Sequence, residues 1–494
     1  MLIKELLMRQ KTNDKVAIQK EDGSITYRQW YLKSKRLSNI INNLESNSKN
    51  IAIFLPNSIE YAVAYFGITF SNKVIVPIGA KSTLSEVIST MKYCEIDIII
   101  TNSNYRIFFN NLESNYNYKF QIVYIDNFSN NIYNNKLNYI RKTDTYFFTG
   151  DDNDVALLLH TSGTLSNPKR VMLTHKNLIS NVLSNIRYLK LNENDRTLIS
   201  MPMHFGYCNT SQFLSHLYLG AYMYILNEPF MPKKYFETIQ NIKITNFTGV
   251  PSTFLMLLNY NYEDSYDYSS LKFVCIGGSK ISGDTLIEIS NRYKTFDVIY
   301  TYGQSEASTR VTALMQKDLI KKKESVGLPI PNVQIKIIDK NGIELPPNKI
   351  GEIAIRGENV MLGYYKSRLL TENTIVDGWL HSGDIGYIDD EGFLYIKGRM
   401  KNMIISGGIN IYPEEIEEVL IRHPNIKKVC VESMSHTFLG EVPVAKIVVN
   451  NDNERYDYYS YCKNYLTDYK IPKKFEIVKE IEETYNGKIR RTEG

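Results

Sequence analysis

Cysteine is scarce and scattered in this 494-residue sequence: Cys94, Cys208, Cys275, Cys430 and Cys462 stand far apart, and no two form a CxxC pair. That spacing argues against a disulfide framework or a zinc cluster and points to reduced thiols in a cytoplasmic compartment. No stretch approaches the ~18 uninterrupted apolar residues of a membrane span. The start, MLIKELLMRQKTND, also lacks the apolar core of a signal peptide. Charge of either sign is in little excess: 58 Lys and Arg against 53 Asp and Glu leave +5, so neither a nucleic-acid nor a membrane-surface partner is indicated. Tryptophan occurs twice while tyrosine occurs 37 times, which reads as codon bias and not as an aromatic binding face. Internal repeats, heptads and collagen-like patterns are missing as well.

What is there is a chain with 43% hydrophobic residues, long enough for roughly three folding units. Short aliphatic runs at Asn50–Leu55, Lys73–Pro77, Asp97–Thr101, Val155–His160, Arg196–Ser200, Lys243–Phe247, Lys272–Ile276 and Asp297–Tyr302 predict strands. Between them Ser58–Phe70, Thr83–Tyr93, Lys176–Leu189 and Ser282–Tyr293 carry helical spacing, each with a cap-like Ser, Thr or Asn nearby. Alternation of this kind predicts an α/β architecture with largely parallel sheets. From about Gly327 the texture turns to Pro, Gly and short strands at Val333–Asp339, Gly351–Arg356 and Gly392–Lys397, a smaller and more antiparallel β unit. A compact α+β piece follows Lys401, with helices at Pro413–Arg422 and Tyr456–Leu466 and strands at Lys427–Ser433 and Val442–Val449. The expected division is therefore a domain over 1–400 and a small domain over 401–494, with the Asn-rich Asn127–Asn138 as a surface loop.

Five segments carry candidate chemistry. In Leu157–Arg170 a buried strand runs into a hydroxyl-rich turn with Lys169, and a helix is expected next. Hydroxyls, open N–H groups and an ammonium hold polyphosphate oxygens, although the Walker A spacing is missing and such turns also occur as plain connections. Tyr300–Glu306 sits at a strand's C-terminal end, where Glu306 offers a hard oxygen to Mg²⁺ and Tyr302 a flat face to a base; the alternative is a solvated loop acid. Trp379–Asp384 reads as a turn ending on a carboxylate that suits vicinal ribose hydroxyls or an Asx-turn. Gly398–Glu417 combines a charged turn, a strand, paired glycines and a capped helix, and Asn486–Arg491 places Lys488 almost at the terminus.

In this order and at these distances the segments resemble the adenylate-forming superfamily of acyl-CoA synthetases, aryl-CoA ligases, luciferases and peptide-synthetase adenylation domains. Supporting matches are Gly277–Gly278–Ser279, Ser325–Pro329 and Gly351–Tyr365. The resemblance implies activation of a carboxylic acid by ATP and Mg²⁺, then transfer to the pantetheine thiol of CoA or of a carrier protein. It assigns Thr161, Ser162, Gly163, Thr164 and Lys169 to the phosphates, with Thr164 and Glu306 near the metal. Gly278, Ser279, Tyr302 and Gly303 would enclose adenine, with Gln304 and Ser305 also on the nucleotide, Asp384 would hold the ribose, and Arg399 would sit at the ribose or phosphate edge. Lys488 and Glu306 would be the catalytic pair, Lys401 the hinge between half-reactions, and Gly407 and Gly408 the wall of the thiol tunnel.

The chain departs from the family pattern at Leu165, Ser166 and Arg170, where a second Thr and two glycines are usual, and at Ser305 and Asn402. Met201–Asn209 resembles the segment entering the acyl pocket, which puts His204, Phe205, Tyr207 and Gly277 against the acid. No acidic residue lies near Tyr207 to pair an α-amine, so an ordinary amino acid is disfavoured. The expected enzyme is an AMP-forming acid–thiol ligase using CoA. The alternatives are a ligase or stand-alone adenylation enzyme that loads an acyl carrier protein and, less favoured, a nucleotide-binding homologue with impaired catalysis.

Overall fold

The computed structural model describes residues 1–116, 118–126, 150–160, 169–226, 230–407, 409–451, 456–483, 489 and 491. The expected Asn127–Asn138 loop lies outside the described residues. Two large mixed sheets form the body. The first has nine strands in the order Leu328–Pro329, Thr312–Leu314, Asp297–Tyr302, Phe273–Gly277, Asn246–Gly249, Arg196–Ile199, Tyr222–Ile225, Val16–Lys20 and Gly23–Thr26. Its six middle strands, from Asp297–Tyr302 to Val16–Lys20, run parallel, and antiparallel pairs close both edges. The second, of seven strands, orders Gly363–Tyr364, Arg170–Thr174, Val155–His160, Val74–Ile78, Asn50–Phe54, Ile98–Thr101 and Gln121–Tyr124. Parallel pairing there joins the last five.

Local chemistry explains why the helices start where they do. Ser58 and Ser282 accept from the backbone N–H groups of Tyr61 and Thr285, while Thr83 with Glu86 and Thr174 with Asn177 complete capping boxes. These caps open helices Ile59–Phe70, Gly283–Arg292, Leu84–Tyr93 and His175–Leu189. Ile59–Phe70 is buried almost all round, as befits a helix lodged in the interior. One continuous apolar cluster joins both large sheets and the small third one, from Ile18 and Trp30 to Leu394.

The third sheet, Val333–Ile338, Gly351–Gly357, Trp379–Ile388, Ile375–Val376 and Leu394–Arg399, is wholly antiparallel. A single 3₁₀ turn, Met400–Asn402, leads from it into a fourth sheet of Ile404–Ser406, Ile409–Ile411, Gly440–Val449, Ile426–His436 and Lys474–Ile477. That last sheet packs helix Pro413–Leu420 over a separate apolar cluster containing Ile404, Ile416, Val431, Ile447 and Cys462. The fold class is the expected one.

Several local expectations are corrected. Arg170–Thr174 is a strand that runs antiparallel to Val155–His160, and the helix starts only at His175. The Arg-Val-Met-Leu-Thr run is buried at every position but Met172 and carries the β-branched Val171 and Thr174 that suit a strand. Trp379–Asp384 is no turn but the first part of a ten-residue strand. Its turn-like residues form a bulge, where the pairing skips from His381 to Ile385 while the partner advances only from Ala354 to Glu352. Lys243 takes φ 55° and ends helix Pro232–Ile242, which delays the next strand to Asn246. The expected Tyr456–Leu466 helix is shorter, Tyr458–Lys463, because Asp457 caps it by accepting from Ser460 N.

Candidate active site

The parallel strands Phe273–Gly277 and Asp297–Tyr302 are neighbours, with Gly277 opposite Thr301. Their C-terminal ends therefore set Gly277, Gly278 and Ser279 beside Tyr302, Gly303 and Gln304, the position where open parallel sheets hold ligands. Gly303 is packed so closely that an added Cβ would lie 2.6 Å from the Thr309 carbonyl carbon and 2.9 Å from Arg310 Cα. The turn after Tyr302 folds back on itself through the 3₁₀ segment Ser305–Ala307. This holds Glu306 by its main chain, whose carbonyl accepts from Met361 N at 2.8 Å.

The side chain of Glu306 is held from the second sheet. Strand Gly363–Tyr364 pairs with Arg170–Thr174, and the Tyr364 hydroxyl donates to Glu306 Oε1 at 2.9 Å. Lys169 Nζ sits 5.7 Å from the Tyr364 ring centroid, which brings the Lys169 ammonium and the Glu306 carboxylate to one phenol. Burial, and then the neighbouring Glu306 carboxylate, push the Tyr364 hydroxyl well above its ordinary range, so it remains a proton donor. Among the described residues no group of three His, Cys, Asp or Glu side chains converges as a metal site. Glu306 presents a single carboxylate, a hard oxygen donor of the kind Mg²⁺ takes alongside phosphate and water.

The third sheet supplies the next part. Asp384 and Arg399 are cross-strand partners, and Arg399 Nε donates to Asp384 Oδ1 at 2.7 Å. Tyr302 donates from its hydroxyl to Asp384 Oδ2 at 2.5 Å, tying the first sheet to the third. Asp384 is 3% exposed. The Asp384 charge raises Arg399 above its ordinary range, and burial and Asp384 together keep Tyr302 protonated. The expected site residues Glu306, Tyr302, Gly303, Asp384, Arg399, Gly278, Ser279 and Lys169 thus belong to one connected rim.

His204, expected at the acid, faces Gly79, whose added Cβ would lie 3.1 Å from His204 Nε2, and its ring is 4.4 Å from Phe205. Burial, and then His160, hold His204 at about 4, so it is neutral at pH 7. Tyr207 bonds Thr301 Oγ1 at 2.8 Å directly above Gly277. Lys401 is exposed in the turn between the third and fourth sheets, and Gly407 lies exposed between the two short strands that follow. Thr161, Ser162, Gly163, Thr164, Gly408 and Lys488 lie outside the described residues, as do Leu165 and Ser166. Near Lys488, Ile489 bridges Glu483, and Arg491 holds both Glu417 oxygens at 2.6 and 2.8 Å.

Arg170, which replaces a small residue of the family pattern, turns into the core and donates to Thr90 Oγ1 at 2.5 Å. Its bulk is thereby absorbed beneath helix Leu84–Tyr93. Sequence reasoning gave no role to Tyr364, Thr301 or Arg310. A signal existed for Arg310 alone, an arginine three residues into an otherwise small, hydroxylated run, Ala307–Ser308–Thr309.

Lys169, Glu306, Asp384 and Arg399, gathered from converging sheets, bear the kinds of charged group that a nucleotide-dependent enzyme uses, and the chain belongs to the AMP-binding enzyme family. The family model for the AMP-binding enzyme matches residues 8–365, and that for the AMP-binding enzyme C-terminal domain matches 415–488. Within that family it is similar to the 2-succinylbenzoate–CoA ligase of Oceanobacillus iheyensis, 30% identical over 97% of this chain and 95% of that protein. The corresponding ligase of Bacillus licheniformis is 28% identical over 97% and 96%. The o-succinylbenzoate CoA synthetase of Bacillus subtilis, solved with its acyl-adenylate intermediate, superposes with a TM-score of 0.84 at 26% identity, covering 98% of this chain and 96% of that one. The same synthetase solved with ATP and magnesium gives 0.85 at 26%, covering 98% and 97%. The chain is an AMP-forming acid–thiol ligase.

Proposed function

We propose that this chain activates 2-succinylbenzoate, or an acid of the same keto-diacid build, with ATP and passes the acyl group to CoA. In the first half-reaction a carboxylate oxygen bonds to the α-phosphorus as the bond to pyrophosphate breaks, leaving a mixed anhydride with AMP. In the second a thiolate attacks the acyl carbon and AMP departs with the electron pair. Both steps gain from positioning and charge neutralisation more than from covalent help.

The observation that carries this reading is the shared rim of Tyr302, Glu306, Asp384, Arg399 and Lys169, drawn from three sheets. In it Asp384 would accept from the ribose hydroxyls, Tyr302 and Gly278–Ser279 would flank the base, and Lys169 would face the phosphates. Mg²⁺, held through Glu306 with Thr164, would neutralise phosphate charge. The terminal Lys488 would sit between the acid and the α-phosphate. We place the boundary of the mobile domain at 400/401, with Lys401 as the hinge. Among the described residues, Lys280–Glu418 at 2.8 Å and Lys397–Glu415 at 3.4 Å are ion pairs that a rotation there must break. The exposed Gly407 turn, with Gly408, would then wall the thiol passage. The names of the relatives favour CoA over a carrier protein as acceptor. The chain's five cysteines are free and buried, in keeping with a cytoplasmic enzyme, and among the described residues no helix is long and apolar enough to cross a membrane.

ATP–pyrophosphate exchange over a panel of keto-diacids, aryl acids, fatty acids and amino acids tests the assignment, followed by acceptor assays with CoA and a holo carrier protein. Exchange that depends on 2-succinylbenzoate and is lost in Lys488→Ala, with ATP binding retained, is the expected result. Exchange with none of the acids would overturn it.

A further inference from the structure

Arg310 is 0% exposed, and among the described residues no carboxylate pairs with it. Its Nη1 donates to Asn185 Oδ1 at 3.3 Å and to the Tyr188 hydroxyl at 2.5 Å, while Nε and Nη2 have no hydrogen-bond partner. The guanidinium lies 5.4 Å from the Tyr207 ring centroid and 5.8 Å from that of Tyr188. Enclosed cations are ordinarily paired, because desolvation penalises an arginine that cannot be discharged. The side chains that reach the guanidinium, Asn185, Tyr188, Tyr207 and Cys275, are uncharged, which leaves its charge open to an anion.

The surroundings suit that role. The Thr301 hydroxyl donates to the Ile276 carbonyl at 3.1 Å, so in its 2.8 Å contact with Tyr207 it accepts, and the phenol is the donor. Gly277 is needed here, since an added Cβ would fall 2.5 Å from Thr301 Oγ1 and 2.6 Å from the Tyr207 oxygen. Tyr207 is half-buried and screens Arg310 from the open side of this cluster. Unlike the fully enclosed Arg310, Tyr302, Glu306 and Arg399 of the nucleotide rim are partly exposed. The carboxylate that reacts must stay at that rim, so an anion reaching Arg310 belongs to a second group on the same acid.

We propose that Arg310 is the specificity-determining charge of the acyl pocket, pairing with the carboxylate of the acid that is not activated. The proposal rests on the acid-activating reading above and deepens it: the substrate is a dicarboxylate, and the Tyr207 ring yields as the free carboxylate takes Nε and Nη2. A bidentate guanidinium–carboxylate pair is selective because its absence leaves buried N–H groups unsatisfied.

The test compares wild type with Arg310→Gln and Arg310→Lys in pyrophosphate exchange. Substrates are 2-succinylbenzoate, its two mono-acid analogues lacking either the ring or the chain carboxylate, and matched pairs of simple diacids and mono-acids. Wild type is expected to prefer a diacid over its mono-acid partner by on the order of 100-fold in kcat/KM. Arg310→Gln should erase that preference by lowering diacid use alone, with the KM for ATP unchanged, and Arg310→Lys should restore part of it. Equal loss for diacid and mono-acid in Arg310→Gln would make Arg310 a structural prop and overturn the proposal, as would a wild type indifferent to the second carboxylate. If wild type prefers another diacid and ignores 2-succinylbenzoate, the substrate named above falls while the role of Arg310 stands.

Discussion

Replacing Asp384 by Asn removes one acceptor without changing the side chain's shape. In the native site Oδ1 accepts from Arg399 Nε at 2.7 Å and Oδ2 from the Tyr302 hydroxyl at 2.5 Å. The amide has one oxygen, and the guanidinium can only donate, so that oxygen must turn to Arg399. Its NH₂ then faces Tyr302, whose hydroxyl can rotate to accept. The fold survives: the Arg399 side chain is 44% exposed, so solvent screens the lost charge pair and the stability loss stays near ~1 kcal/mol. Ribose fares worse. A carboxylate has lone pairs left for two vicinal hydroxyls after serving Arg399 and Tyr302, whereas the amide offers one crowded oxygen. Loss of one charge-assisted hydrogen bond, about 1.5–3 kcal/mol, corresponds to a roughly 10- to 100-fold weaker grip on ATP. Titration calorimetry with ATP and the KM for ATP in pyrophosphate exchange should both show it, alongside a melting temperature lowered by only a few degrees. ATP affinity within twofold of wild type would mean that Asp384 serves Arg399 and Tyr302 alone and that the ribose assignment is wrong.

Two further substitutions probe the scaffold. Gly303→Ala forces a Cβ against the backbone of Thr309 and Arg310, which cannot swing aside as a side chain could. It should displace Glu306 and cut exchange by on the order of 100-fold; Gly23→Ala, with open space around it, is the control, and a rate within threefold of wild type would show that the turn yields freely. Acid stability is the second. Burial holds His216, bonded by Gln212 O and Asn246 Nδ2, at about 4 against 6.5 for the free side chain. Its folded pKa is depressed, so the unfolded chain binds the proton first. The associated stability, on the order of 3 kcal/mol, is complete above about pH 6.5 and lost as pH falls toward 4. His216→Gln should flatten the fall in melting temperature across that window, whatever it does to stability at pH 7, and an unchanged slope would refute the assignment.

Alternating apolar runs and capped helices were legible because they depend on neighbours in sequence. Ser58, Thr83 and Ser282 cap the helices they were expected to open, and Thr174 caps the one expected from Lys176. Errors arose where a distant partner decides. Arg170–Thr174 became a strand because Val155–His160 offered it an edge, and Trp379–Asp384 straightened because Gly351–Gly357 absorbed its turn residues as a bulge.

The candidate site divides the same way. Short motifs with fixed chemistry were enough to nominate Glu306, Asp384, Arg399, Tyr302 and Lys169, since each bears the group a nucleotide needs. Nothing local tells that Tyr364 reaches Glu306 across 58 residues, or that Tyr302 reaches Asp384 across 82. The enclosure of Arg310 is likewise a property of the packed molecule, because Asn185, Tyr188 and Tyr207 surround it from more than 100 residues away. A sequence states which groups a chain possesses. Which of them lose their water, and must therefore find a partner, is settled only when distant segments close around them.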